Sequence, residues 1–484
     1  MMEIAPILFA KSESRDLFFS QKMATRHGLI AGATGTGKTV SLRVLAEGFS
    51  RSGVPVFLAD VKGDLSGLAC AGEISGKVAE RVETLGLLNF VPESFPVAFW
   101  DLFGKRGHPL RTTISEIGPL LLGRLLGLNE TQSAALSIIF KFADDNGLLL
   151  LDLKDLKAVI QNFAENSREL LTTYGNIAPA TFGAIIKNII AFENQGGEKF
   201  IGEPALAIAD LIRVDVFGKG VINIFDASII NTAPLVYTSF MLWLLSELFE
   251  ELPEVGDLAK PKLVFFFDEA HLLFTDAPKE LISKVEQLVR LIRSKGVGVY
   301  FVTQSPLDIP AAVLEQLGNR VQHALRAFTP SGQKMARAAA DTFRANKNFS
   351  VAEAISELAI GEALVSFLDE FGTPQVVERA LVMPPWSRLA PLSDGEFVAE
   401  LRASSIYGRY EKSLDRESAY EILANRQKIS YKSSNDAGLD RSGGSGSFIG
   451  GMIASIGKSA LRSFASAIGR EISRGLLGGI RRQR

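Results

Sequence analysis

Gly28-Leu29-Ile30-Ala31-Gly32-Ala33-Thr34-Gly35-Thr36-Gly37-Lys38-Thr39 decides the reading of this chain, together with the segment Val40-Ser41-Leu42-Arg43-Val44-Leu45-Ala46 that follows it. A short apolar run enters a glycine-rich turn and leaves it with helical apolar spacing, so the order is strand, loop, helix. Gly32 to Thr39 satisfies G-x-x-x-x-G-K-[ST] in the context that pattern requires. The glycines let backbone N–H groups turn inward around phosphate oxygens, so Gly32, Thr34, Gly35, Thr36 and Gly37 are expected to line the nucleotide, and the following helix N-terminus favours an anion. Lys38 is placed to reach the β- and γ-phosphates, and the Thr39 hydroxyl to ligate Mg²⁺. A dinucleotide fingerprint is the rival, with Asp60 as its acidic residue, but Val40 stands where the third glycine is needed.

Working outward, Val54 to Ala59, Val97 to Trp100, Val221 to Phe225, Leu263 to Phe267 and Val297 to Val302 are continuous apolar runs. Such runs mark strands buried on both faces, and helices between them predict an α/β fold with a mainly parallel sheet. The interval 104–216 carries helical stripes instead. The expected layout is a core in two parts, 1–103 and 217–390, split by a helical insertion at 104–216. A helical extension at 391–441 and a tail at 442–484 follow.

A phosphate site of this kind needs a second acid for Mg²⁺ and a group that polarises water. Asp268 and Glu269 stand directly after an apolar run, at the strand end where ligands bind in open α/β sheets. Asp268 is the expected metal ligand and Glu269 the expected base; a solvated acidic turn is the plain alternative. Gln304, again at a strand end, is expected to orient the water, or is a simple turn residue. Arg293 lies opposite the apolar stripe of its helix, free to face another subunit or only solvent. Asp60 or Lys62 faces the nucleotide, unless Asp60 to Asp64 is merely a tight surface turn.

The length of 484 residues allows about three domain-equivalents. Apolar residues at 47% and charged residues at 22% exclude wholesale disorder and a polytopic membrane protein. One cysteine, Cys70, excludes a disulfide framework, and four scattered histidines offer no metal-ligand spacing. The start shows no basic signal region, so a cytoplasmic location is expected. Ala227 to Ser246, uncharged but for Asp226 before it, is interrupted by Asn231, Pro234 and hydroxyl residues and reads as a buried helix. Net charge is −2, divided into +6 for residues 443–484 and −8 for the rest. A Gly/Ser linker precedes an amphipathic basic helix, suited to self-association or docking, with contact to a membrane as a third reading.

With the Asp60-Val61-Lys62-Gly63 turn, Asp268-Glu269-Ala270-His271 and the Arg293 to Gly298 run into Thr303-Gln304, the chain resembles the HerA-FtsK superfamily of P-loop motors. The likeness is greatest to the bacterial HerA-like ATPases of YjgR type and extends to Gly318–Phe328. The resemblance implies a RecA-like core, ATP held between subunits, and homo-oligomeric rings, usually hexamers. It implies that Lys38, Asp268, Glu269 and Gln304 act as above, that Arg293 is an arginine finger and that Arg320 lies near a sensor arginine. Archaeal HerA helicases carry a β-barrel ahead of the motor, and 31 residues before Gly32 are too few for one.

These readings converge on an Mg²⁺-dependent ATP hydrolase with DNA as a candidate substrate polymer. Lys334, Arg337, Arg344 and Lys347 are the candidate pore cations. The alternative is an ATP-driven switch or assembly scaffold that moves no nucleic acid, which the acidic body favours. No feature names a partner protein.

Overall fold

The computed structural model describes residues 5–274, 279–326 and 329–426. The linker and basic helix expected over 442–484 lie outside them. Twelve strands form one sheet among the described residues: β1 (Ile7–Lys11), β2 (Asp16–Phe19), β3 (Gly28–Ala31), β4 (Val56–Asp60), β5 (Val97–Asp101), β6 (His108–Pro109), β7 (Ile222–Asp226), β8 (Leu263–Phe267), β9 (Val297–Thr303), β10 (Asn319–Gln322), β11 (Glu362–Ser366) and β12 (Glu378–Val382). Their order is β2-β1-β12-β11-β10-β3-β9-β8-β4-β7-β5-β6. From β10 to β6 all neighbours are parallel, and from β10 back to β2 all are antiparallel.

Alternation along the central strands sends side chains to two apolar cores. Leu29, Phe57, Phe265, Phe267, Val299 and Phe301 pack on one face, with Phe57 and Phe265 stacked at 4.4 Å. The helices Ile114–Leu125, Glu130–Asp145, Leu153–Glu165 and Pro179–Asn194 share that core, as does Pro234–Glu251. The interval 104–216 is therefore mainly helical and packs onto the sheet. Ile30, Val56, Leu58, Val264, Phe266 and Tyr300 turn to the other face, where Leu42, Leu45 and Phe49 of helix Lys38–Arg51 meet them.

Ala227 to Ser246 begins with a 3-10 turn, Ser228–Asn231, and becomes a helix only at Pro234. Val236, Phe240, Leu244 and Leu248 of that helix are fully buried. No helix of the described residues is long and apolar enough to cross a membrane.

Two features add to the sequence expectation. Residues 5–19 form an antiparallel hairpin that pairs with β12, completing the sheet's far edge. Residues 383–426 are drawn back across the molecule, with helix Asp394–Ala403 and a helical stretch at 419–426 as their regular pieces; the rest of the helical extension expected over 391–441 lies outside the described residues. Arg43, fully buried in the helix after the glycine turn, donates to the carbonyls of Arg388 (2.6 Å), Leu389 (3.2 Å) and Asp64. Glu47, one turn on, accepts the Trp386 N–H at 2.8 Å, the Ser387 N–H at 3.2 Å and the Ser387 hydroxyl. Further along, His108 links Glu411 (2.6 Å) and Ser404 (3.0 Å). Polar side chains inside the sheet layers thus fasten the segment that follows β12.

Candidate nucleotide site

β9 lies between β3 and β8, with β4 beyond β8, so four C-terminal strand ends stand side by side. The Gly32–Thr39 loop follows β3, Gln304 follows β9, Asp268-Glu269 follow β8, and Asp60 ends β4. Four sequence segments far apart in the chain meet along one edge of the sheet.

The loop is fixed from below. The Gly32 N–H donates to the Thr303 carbonyl (3.2 Å) and the Ala33 N–H to the Ala324 carbonyl (2.8 Å). Thr36 is buried, with its hydroxyl on the Ala33 carbonyl (2.7 Å) and its own carbonyl accepting from the Gly361 N–H (2.9 Å). Thr34 and Gly35 are exposed, and Thr39 is half-buried at the start of helix Lys38–Arg51. Two glycines are dictated by space and by backbone. A Cβ on Gly32, at φ +154, would lie 2.5 Å from the His323 Cβ, and one on Gly37, at φ +121, would lie 3.2 Å from the Gly361 Cα.

Lys38 is buried and turns back over the loop, its Nζ donating to the Gly32 (2.6 Å) and Ala33 (3.1 Å) carbonyls. Burial pushes its pKa down, against the nearby charges of Glu269 and Asp268. An ammonium held only by carbonyls gains a stronger partner when phosphate enters.

Asp268 and Glu269 are both 7% exposed. Burial pushes the Asp268 carboxyl up to about 7; Glu269 and Asp60 add to the rise, and Lys62 opposes it. Such a carboxyl gains most from a cation beside it. Glu269 behaves differently. Burial opposes its charge, but the hydrogen bond and charge of Lys62, with Lys38 and Gln304, outweigh that and hold it below the usual glutamate range. Lys62 Nζ is 2.6 Å from Glu269 Oε1, Gln304 Nε2 donates to Oε2 at 3.5 Å, and His271 Nδ1 is 3.4 Å from Oε2. Glu269 sits in the left-handed backbone region (φ 46, ψ 48), a conformation uncommon for a residue with a side chain and frequent at functional sites.

Asp60 spends its carboxylate on its own turn: Oδ1 accepts from Lys62 N (3.2 Å) and Gly63 N (2.7 Å), Oδ2 from Leu65 N (2.9 Å). Burial pushes it up to about 6 against those bonds. The turn's side chain that meets the site is Lys62.

The two arginines stand apart. Helix Lys279–Ile292 ends before Arg293, which opens a 3-10 turn ahead of β9 and pairs with Asp257 at 3.6 Å. That is the opposite end of the sheet from Gln304, about 23 Å away for a seven-residue strand. Arg320 pairs in register with Leu29, below the loop, and donates to the Leu317 (3.1 Å), Thr342 (2.7 Å) and Leu314 (3.3 Å) carbonyls.

His323 escaped the sequence reading. It is fully buried beneath Gly32 and Gly37, with Nδ1 2.8 Å from the Glu362 carbonyl and Nε2 2.7 Å from the Ser41 hydroxyl. A carbonyl only accepts, so Nδ1 carries the proton and Nε2 accepts from Ser41. Burial pushes its pKa down to about 4, so the ring is a neutral support for the loop. The polar run Asn319-Arg320-Val321-Gln322-His323 was the available signal.

The family described as Helicase HerA-like C-terminal matches residues 6–484. The chain belongs to that family. Its fold agrees with solved HerA-FtsK-type structures. The bacterial conjugative coupling protein TrwBΔN70 is 14% identical, with 81% of this chain and 93% of that one covered at a TM-score of 0.50. VirB4 of Thermoanaerobacter pseudethanolicus is 15% identical, with coverages of 78% and 96% and a TM-score of 0.52. TrwB in complex with ADP and Mg²⁺ is 13% identical, with coverages of 86% and 92% and a TM-score of 0.51. No curated protein sequence matches significantly. This HerA-like chain is thus a P-loop ATPase with a RecA-like core.

Proposed function

We propose that this HerA-like chain hydrolyses ATP at the β3-β9-β8 edge, assembles as a ring, and uses hydrolysis to move along DNA. The observation that carries the reading is the meeting of Lys38, Asp268, Glu269 and Gln304 at adjacent strand ends, with Arg293 at the opposite end of the sheet. The buried pair of carboxyls, one of them lifted to about 7, fits a divalent cation, with Thr39 and Asp268 as its ligands. Bound Mg²⁺ neutralises phosphate charge. The glycine loop and Lys38 bind the phosphates, ionised Glu269 accepts the proton of the attacking water, and Gln304 orients that water. Arg293 cannot reach the nucleotide of its own chain, which supports its delivery to a neighbour's site in a hexameric ring. The carbonyl partners of Arg320 support an indirect, positioning part in the same site.

The YjgR-type subgroup and a cytoplasmic location belong to this proposal and rest on the motif run quoted above. Lys334 and Arg337 are exposed on helix Pro330–Ala340 and offer cations to a phosphate backbone. The test is ATPase rate against single- and double-stranded DNA across a salt series, with full-length protein and protein truncated after Ser442. A motor shows stimulation that falls steeply with salt, because each phosphate contact releases counterions. The stimulation survives truncation. Flat rates in every condition favour the switch or scaffold instead, consistent with a −8 body.

A further inference from the structure

Lys62 does more than balance charge. Its backbone is pinned by its own turn, and its partly exposed side chain is held by Glu269, its one ion-pair partner among the described residues, at 2.6 Å. The Asp60 carboxylate accepts the N–H groups of Lys62, Gly63 and Leu65, which fixes the turn at the end of β4. β4 pairs with β8 in register, Ala59 opposite Phe267, so the turn is held beside Asp268-Glu269. The Lys62 stem crosses that short gap and remains 41% exposed, while the Glu269 side chain it grips is 8% exposed. The charge of Lys62 lowers the tendency of Lys38 to hold a proton, Glu269 and Asp268 raise that of Lys62, and both ammonium groups act on Glu269. Two ammonium groups therefore share one pair of buried carboxyls, Lys38 resting on loop carbonyls and Lys62 on Glu269 Oε1.

That arrangement is unsuited to catalysis. An oxygen that accepts a 2.6 Å charge-assisted bond is engaged, and the other oxygen faces Gln304 and His271. Water polarisation needs one oxygen released. The γ-phosphate of ATP brings more negative charge than one carboxylate and would lie near Lys38, within the reach of a four-carbon stem anchored next to the same carboxyls. ADP lacks that group. A ligand shifts a two-position side chain only by its differential contact with the two positions, and here only the triphosphate would supply that contact.

We propose that Lys62 is a γ-phosphate sensor: it holds Glu269 when no triphosphate is bound and exchanges Glu269 for the γ-phosphate when ATP enters, releasing Oε1 to the attacking water. This rests on the ATP site proposed above and names how that site distinguishes ATP from ADP. Lys62 then contributes to triphosphate binding and to turnover but not to ADP binding.

The experiment measures AMP-PNP and ADP affinity by calorimetry with Mg²⁺, on full-length protein, for wild type, Lys62→Gln, Lys62→Arg, Glu269→Gln and the Lys62→Gln/Glu269→Gln double variant. Lys62→Gln should weaken AMP-PNP about tenfold, the loss of one charge-assisted bond, and leave ADP within about twofold. Turnover should fall with it, and Lys62→Arg should recover part of both. Glu269→Gln frees the lysine and should tighten AMP-PNP about fivefold without affecting ADP, a gain that disappears in the double variant. Unchanged AMP-PNP affinity in Lys62→Gln, equal loss for both nucleotides, or tightening that persists in the double variant overturns the sensor. Thermal melts check folding, which a half-exposed side chain should not alter. Lys38→Ala separates the two levels. If it binds nucleotide normally, the ATP site itself is misplaced; if it loses both nucleotides while Lys62→Gln loses neither, only the sensor fails.

Discussion

Arg293→Ala should leave the fold intact and abolish most turnover, and only a second subunit should be able to repair it. The side chain is 36% exposed and its partner Asp257 76% exposed, so their 3.6 Å pair contributes under about 1 kcal/mol. Its removal also relieves repulsion with Arg26, whose pKa burial and then Arg293 push down. Stability is therefore nearly unchanged. Turnover is another matter: an arginine delivered to the γ-phosphate accelerates hydrolysis on the order of a thousandfold or more, about 4 kcal/mol of barrier. The seven residues of β9 put about 23 Å between Arg293 and its own Gln304, so the proposed finger would act in trans. Mixing Arg293→Ala with Glu269→Gln subunits creates interfaces that pair an intact Glu269 with a neighbour's intact Arg293. In a random equimolar ring with one heterologous interface per subunit, about a quarter of interfaces are complete. The mixture should thus regain about that fraction of wild-type ATPase activity, and light scattering confirms that mixed assemblies form. Mixed assemblies without restored activity, or full activity in Arg293→Ala alone, refute the trans reading.

Other outcomes follow from the same contacts. Arg43→Leu should destabilise the fold by about 3 kcal/mol in urea unfolding, because it strands the carbonyls of Asp64, Arg388 and Leu389 in the interior; a loss below about 1 kcal/mol would show that water replaces the guanidinium. His27 is buried, accepts the Val299 N–H at Nδ1 (3.0 Å) and is pushed by burial from 6.5 down to about 4. A base with a lowered folded pKa loses its contribution as pH falls from about 6.5 to 4, so the stability gap between wild type and His27→Asn should narrow by about 3 kcal/mol over that range. A gap independent of pH would show that His27 is not held neutral. Truncation after Ser442 should lower oligomer mass; unchanged mass with lost binding to anionic vesicles would favour a membrane role for the tail.

The parallel half of the sheet was legible because strands buried on both faces are written as unbroken apolar runs, as in Leu263 to Phe267. The candidate site was legible for a related reason: glycines, a lysine and paired carboxyls directly after such runs have few alternative explanations. The antiparallel wing was not. Asp16-Leu17-Phe18-Phe19 and Asn319-Arg320-Val321-Gln322 are four-residue strands, two of whose polar members, Asn319 and Gln322, are buried because they bond backbone or neighbouring loops. Arg43 and Glu47 look like the outer face of an amphipathic helix, yet the returning segment after Val382 covers them. Such partners come from hundreds of residues away, where local periodicity carries no information. Lys62 was legible only as one of two options, because the choice between it and Asp60 depends on which of them the turn's own N–H groups capture.

The central claim is that Glu269 activates water in a site that Lys38 uses to bind nucleotide. Its most direct test compares steady-state ATP hydrolysis and nucleotide binding in purified wild type, Glu269→Gln and Lys38→Ala. Glu269→Gln should keep nucleotide binding and lose at least about a hundredfold in kcat, whereas Lys38→Ala should lose binding itself. Equal turnover by wild type and Glu269→Gln would contradict the account.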